Sequence, residues 1–90
     1  MKSSFSLFFF TIVIPKISIK SKGKVTIVEG NLLYLFCEAE GFPTPLVTWR
    51  KDGKLLQSSM NRTDFIISEA SENDGGNYEC KASNSMGTAS

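Results

Sequence analysis

The chain has 90 residues, a length that allows one domain at most, with ordinary hydrophobic (41%) and charged (21%) fractions. A net charge of +1 gives no nucleic-acid footprint, and the absence of histidine removes the commonest general base, the commonest metal ligand and any Ser-His or Cys-His nucleophile pair. Two cysteines without a CxxC spacing cannot build a four-ligand zinc site without carboxylates. An even count in a small chain suggests one bridge, provided that the compartment is oxidising.

Charge is unevenly placed. Residues 1–24 hold five lysines and no acid, whereas the remainder holds five basic and nine acidic residues, a net of −4. Met1-Lys2-Ser3-Ser4 precedes a ten-residue apolar run from Phe5 to Ile14. A basic start and a run of this length fit the n- and h-regions of a secretory signal, and the run is too short to span a bilayer as a helix. Pro15, Lys16, Lys20 and Lys22 make a poor cleavage region, although Ser21-Lys22-Gly23 puts small residues at the −3 and −1 places. Residues 1–23 are therefore expected to be a signal peptide or another leader, with the domain over residues 24–90. The competing reading is that this stretch is the end of a preceding segment.

From there the strands follow one another. Val25-Thr26-Ile27-Val28 is β-branched and stops at the turn signal Glu29-Gly30-Asn31. Leu33, Leu35 and Cys37 alternate with Leu32, Tyr34 and Phe36, the period of a strand. Gly41-Phe42-Pro43-Thr44-Pro45 reads as an extended connection, because each proline lacks a ladder donor. Val47 and Trp49 then share one face and Thr48 and Arg50 the other. Lys51-Asp52-Gly53-Lys54 predicts a tight hairpin, and Leu55-Leu56 a short strand that fades into Gln57-Ser58-Ser59. Phe65 and Ile67 alternate, Ser68 to Asn73 shows no strong helical pattern, and Tyr78, Cys80 and Ala82 share one side of a further strand. Asn84-Ser85-Met86-Gly87 is a turn, and Thr88-Ala89-Ser90 opens a last strand. Short strands at regular spacing with turn chemistry between them predict an all-β sandwich or barrel.

The matched residues are Val25-x-Ile27-x-Glu29-Gly30, Leu35-x-Cys37, Gly41-x-Pro43-x-Pro45-x-Val47-x-Trp49, Lys51-Asp52-Gly53, Phe65-x-Ile67, Asp74-x-Gly76-x-Tyr78-x-Cys80 and Ala82-x-Asn84-x-x-Gly87. In this order and spacing the chain resembles an immunoglobulin-like domain of the I-set type over residues 25–88. The resemblance implies a two-sheet antiparallel sandwich in which Cys37 and Cys80 bridge the sheets, Trp49 packs on the bridge and Leu35 lies in the core. It also implies that Tyr78 sends its hydroxyl back to backbone near Asp74, and that Gly76 gives this corner room. Reactive free thiols are the alternative for the cysteines, disfavoured because both fall on inward strand positions. Two departures stand out. The last strand stops at Ser90, well short of the family's, so the domain is expected to be C-terminally incomplete and part of something longer. The outward places beside Leu35 hold Tyr34 and Phe36, with Ile66 on the strand expected next to them, three apolar side chains on one face.

For function, the resemblance implies a protein-protein interaction module without catalysis, cofactor, metal or small-molecule substrate. It would form part of a cell-surface or secreted adhesion or receptor protein, with other proteins as partners. Asn61-Arg62-Thr63 adds an N-glycosylation sequon, and Tyr34, Phe36 and Ile66 a contact face, unless a leader or missing strand covers it. Arg50, Glu79 and Lys81, outward on the opposite sheet, read as a solvated mixed-charge face. The alternative is an intracellular structural module of a muscle or cytoskeletal giant protein or kinase, with reduced cysteines as small buried hydrophobes.

Overall fold

The computed structural model describes residues 13–90. Eight antiparallel strands form two sheets: β1 (Val13–Lys20), β2 (Lys24–Val25), β3 (Leu33–Phe42), β4 (Leu46–Lys51), β5 (Lys54–Met60), β6 (Arg62–Ile67), β7 (Gly76–Asn84) and β8 (Gly87–Ala89). The first sheet has the order β1-β3-β6; the second has β2-β7-β4-β5, with β8 also on β7. This is the two-sheet sandwich that the alternating pattern and the family resemblance predict. The inward positions of three strands make the core: Leu33, Leu35, Cys37 and Ala39 of β3, Val47 and Trp49 of β4, Tyr78, Cys80 and Ala82 of β7. Each large side chain buried there stabilises the fold by about 1.5–3 kcal/mol.

The sandwich begins upstream of residue 24. β1 pairs with β3 from Val13 opposite Phe42 to Lys20 opposite Cys37, and Ile17 packs against the core. Residues 13–23, expected to belong to a leader, thus supply an edge strand and a sheet crossing; residues 1–12 lie outside the described region. The chain passes from one sheet to the other between Lys20 and Lys24. Ser21 N donates to Phe36 O (2.9 Å), Ser21 Oγ accepts from Phe36 N (2.9 Å), and Gly23 O accepts from Tyr78 N (2.8 Å). A Cβ on Gly23 would lie 2.6 Å from Tyr78 O, so this crossing requires glycine.

Other boundaries shift for similar reasons. Only Val25 of the Val25–Val28 run is in a strand, because pairing with β7 is limited to Lys24 and Val25. Gly41 and Phe42 extend β3, since β1 offers them partners, and the connection to β4 shrinks to Pro43, Thr44 and Pro45. β5 runs on to Met60 because β4 pairs with it to the end, Leu46 opposite Met60. The hairpin before it has Asp52 at φ 51° and Gly53 at φ 80°, the two positive values of a type I′ turn. The stretch from Ser68 runs into one short 3-10 turn, Glu72–Asp74.

A chain beginning at residue 24 would lose β1, its ladder with β3 and the burial of Ile17, a cost of at least about 3 kcal/mol. Its thermal midpoint, followed by circular dichroism, is expected about 10 °C or more below that of the full chain. Equal midpoints would show that β1 is dispensable.

Candidate functional site

At the centre of the sandwich, Cys37 and Cys80 are bonded, with Cα atoms 6.4 Å apart across the two sheets. Trp49, directly opposite Cys80 on β4, has no solvent exposure (0%). Its indole Nε1 has no hydrogen-bond partner among the described residues, and its side chain works as a packed body alone. Beside it an open groove of about 170 Å³ is lined by Lys20, Ser21, Gly23, Tyr78, Glu79 and Ser90. These side chains make no nucleophile-base pair and no paired carboxylates. No group of three His, Cys, Asp or Glu that could hold a metal occurs among the described residues.

The corner before β7 is built on Tyr78. Its hydroxyl donates to Asp74 O, while the Asp74 carboxylate accepts from Ser71 N at 2.8 Å, which fixes the short 3-10 turn. The Lys51 ammonium lies 5.6 Å from the centre of the Tyr78 ring and also donates to Asn73 O. Gly76 sits at φ +137°, where a Cβ would come within 3.2 Å of Lys51 Cε. Burial, then the negative charges of Asp74 and Asp52, push the Tyr78 phenol above its ordinary value.

The outer face of the first sheet gathers Tyr34 and Ile66 as direct cross-strand partners, with Phe36 opposite Asp64. It is not the bare apolar patch that Tyr34, Phe36 and Ile66 suggest from sequence. Arg62 crosses it, donating from Nε to Asp64 Oδ1 (2.7 Å), from Nη2 to Tyr34 Oη (3.1 Å) and from Nη1 to Glu38 Oε1 (3.3 Å). Its guanidinium covers Phe36 at 5.1 Å from the ring centre, leaving that ring half-buried, and Tyr34 donates to Asp64. Ile66 stays 58% exposed. The hydrogen bonds from Arg62 first, then from Tyr34, hold the Asp64 carboxyl below its usual range. The sequence held the signal for this network: Arg62, Asp64 and Ile66 alternate with the inward Thr63, Phe65 and Ile67, and so share a face with Tyr34, Phe36 and Glu38.

Asn61 sits exposed at the reversal between β5 and β6, at φ 70°. Its N–H donates to Pro45 O (2.8 Å) and its carbonyl accepts from Ala39 N (2.9 Å), which ties the two sheets where the chain crosses between them. Arg50, Glu79 and Lys81 lie on the outer face of the second sheet, Arg50 opposite Glu79.

A family model described as Immunoglobulin domain matches residues 14–84. The chain belongs to the immunoglobulin domain family. It is similar to mouse Hemicentin-2, 41% identical over 71 residues, with 72% of this chain and 1% of that protein covered. It is also similar to the human Neural cell adhesion molecule L1-like protein, 39% identical over 83 residues, covering 87% of this chain and 7% of that protein. The Titin homolog of Caenorhabditis elegans is 38% identical over 81 residues, 81% of this chain and a share of that protein that rounds to 0%. The chain thus spans only a few hundredths of the length of these relatives. Among solved structures, a chimeric titin Z1Z2 aligns with a TM-score of 0.74 at 29% identity, covering 86% of this chain and 87% of that one. The titin M10–obscurin-like 1 Ig complex aligns with a TM-score of 0.68 at 28% identity over 86% of each chain. Relatives of this kind, in adhesion proteins and in titin, go with a non-catalytic interaction module.

Two outcomes test this geometry. Because the Tyr78 pKa is raised in the fold, the stability it gives is complete below the unfolded phenol value near 10 and is lost as pH rises through the folded value. Tyr78→Phe is expected to cost about 1 kcal/mol near neutral pH and to flatten the alkaline fall in a urea-unfolding series; a parallel fall would contradict this. For Asp64 the sign is opposite. Its contribution is present above the unfolded value near 4 and lost as pH falls through the lower folded value. Asp64→Asn is therefore expected to flatten the acid limb below about pH 4, whereas an unchanged limb would place Asp64 outside any coupled network.

Proposed function

We propose that this domain is an extracellular protein-binding module of a cell-surface or secreted adhesion-type protein. The observation that carries this reading is the Cys37–Cys80 bond at the closed centre of the core, both cysteines being almost wholly shielded from solvent. A bridge there adds most where the compartment keeps it oxidised. The similarity to a hemicentin and to a neural cell adhesion molecule supports the same compartment, and the exposed Asn61 sequon offers a glycan site clear of both sheets' inner faces. Cleavage of a secretory leader after Gly23 does not suit this reading, since it would remove β1 and free the acceptor of Tyr78 N. Any cut compatible with the fold lies before Val13.

A second reading draws on the titin homolog and the titin structures: an intracellular structural module with both thiols reduced. Secretion from a eukaryotic host separates the two. On the extracellular reading, intact mass shows no free thiol and a glycan that Asn61→Gln removes. Two free thiols without a glycan would favour the intracellular module.

A further inference from the structure

The uneven charge of the sequence has a definite place in the fold. Between Val13 and Glu29 the chain holds Lys16, Lys20, Lys22 and Lys24 and no acid, and all four lysines are exposed. The ion pairs among the described residues belong to Arg62, so none of these four ammonium groups is held by a carboxylate. Lys20, Lys22 and Lys24 span the segment that crosses from β1 in one sheet to β2 in the other. Alternation turns them outward. Ser21 is bonded to Phe36 and Gly23 to Tyr78, which leaves the lysines between and beside them on the solvent side. In extended backbone such alternate positions are about 6–7 Å apart, so three positive charges stand in single file on an anchored backbone.

Acids border this row on three sides and define its shape. On the outer face of the first sheet, Glu40 stands opposite Lys16 and Glu38 opposite Ile19. Glu79 lies on the outer face of the second sheet and shares a groove with Lys20. Beyond Lys24, Val25 stands opposite Gly76, close to the acidic turn Glu72–Asp74. What remains positive is a strip from Lys20 to Lys24, roughly 13 Å long and one side chain wide.

We propose that this strip binds a linear sulfated polysaccharide, with sulfate groups against Lys20, Lys22 and Lys24. The choice of polyanion rests on the extracellular reading above and adds a second kind of ligand to it. A flexible polymer with negative groups along its length can follow a narrow strip. An anionic lipid surface is a plane, and would bring its headgroups against Glu40 and Glu79 as well. Single-stranded nucleic acid is bound through stacked bases as well as charge, and no aromatic residue occurs from Pro15 to Asn31. A lysine ammonium meets a sulfate as a point charge, without the fork geometry of arginine, so the contact tolerates variation in sulfate position. A glycan on Asn61 leaves the strip clear, because Asn61 leads into β6, and β1 and β6 flank β3 on opposite sides.

Calorimetric titration of the full, disulfide-bonded chain with heparin fragments over a salt series tests this. The logarithm of the affinity is expected to fall with that of the salt concentration at a slope near −2, three lysines contributing about 0.7 each as for a single-stranded polyanion. Lys20→Gln with Lys22→Gln and Lys24→Gln is expected to weaken binding about tenfold or more at low salt. Arg50→Gln with Lys54→Gln and Lys81→Gln removes the same charge from elsewhere and is expected to weaken it by less than about threefold. Amide shifts of the unmodified chain on adding heparin fragments are expected to gather at residues 20–24, a readout that does not rely on any variant folding. No binding at low salt, an equal loss in the two triple variants, or shifts gathered elsewhere would each overturn the proposal. So would equal affinity for a single-stranded oligonucleotide or for phosphatidylserine vesicles. The two readings fail separately: absent heparin binding overturns the strip whatever the thiols show, and free thiols without a glycan overturn the extracellular module whatever heparin shows.

Discussion

The contact between Trp49 and the Cys37–Cys80 bond is the constraint on which the rest of the structure depends. Each sheet alone has one apolar face and cannot remain folded in water with that face bare. β3 carries Cys37 on one sheet, β7 carries Cys80 on the other, and β4 brings Trp49 beside Cys80. The bond therefore joins the two sheets where their inner faces are most completely shielded. Closing a loop of 43 residues stabilises the fold by about 4 kcal/mol, much of the net stability of a small domain, if the gain comes from the restricted unfolded chain.

Around this centre the polar groups do a different task. They fix the places where the chain changes sheet or direction, and the apolar core does not specify these. Ser21 and Gly23 guide the crossing from β1 to β2, Asn61 the crossing from β5 to β6, Tyr78 and Asp74 the corner before β7, and Asn84 the end where three segments meet. In each case a backbone group that would otherwise lie unpaired beside the core finds a partner. The same bonds set the loops in one arrangement, so the exterior is a set of fixed surfaces. One of them is crossed by the Arg62 network.

Much of this was legible in the sequence because the information is periodic or covalent. Alternation of Leu33, Leu35 and Cys37 against Tyr34 and Phe36 marks β3 and its inward face, and the Asp52-Gly53 pair marks the hairpin. Residues 13–23 resisted reading because Val13 and Ile14 continue an apolar run that also fits a leader, while the partners that make them a strand stand some twenty to thirty positions away in β3. The outer face of the first sheet was legible only in part. Tyr34, Phe36 and Ile66 stand out as apolar, but their neighbours Arg62 and Asp64 convey nothing until β6 is known to lie beside β3.

The buried bond between the sheets supplies a large part of the stability of this domain. Equilibrium urea unfolding of the oxidised chain and of the same chain fully reduced compares the two directly. A loss of about 4 kcal/mol on reduction, with β1 to β8 unfolding in one transition, is the predicted result. Equal unfolding free energies in the two states would contradict it and leave Trp49 and the surrounding apolar side chains as the whole support of the sandwich.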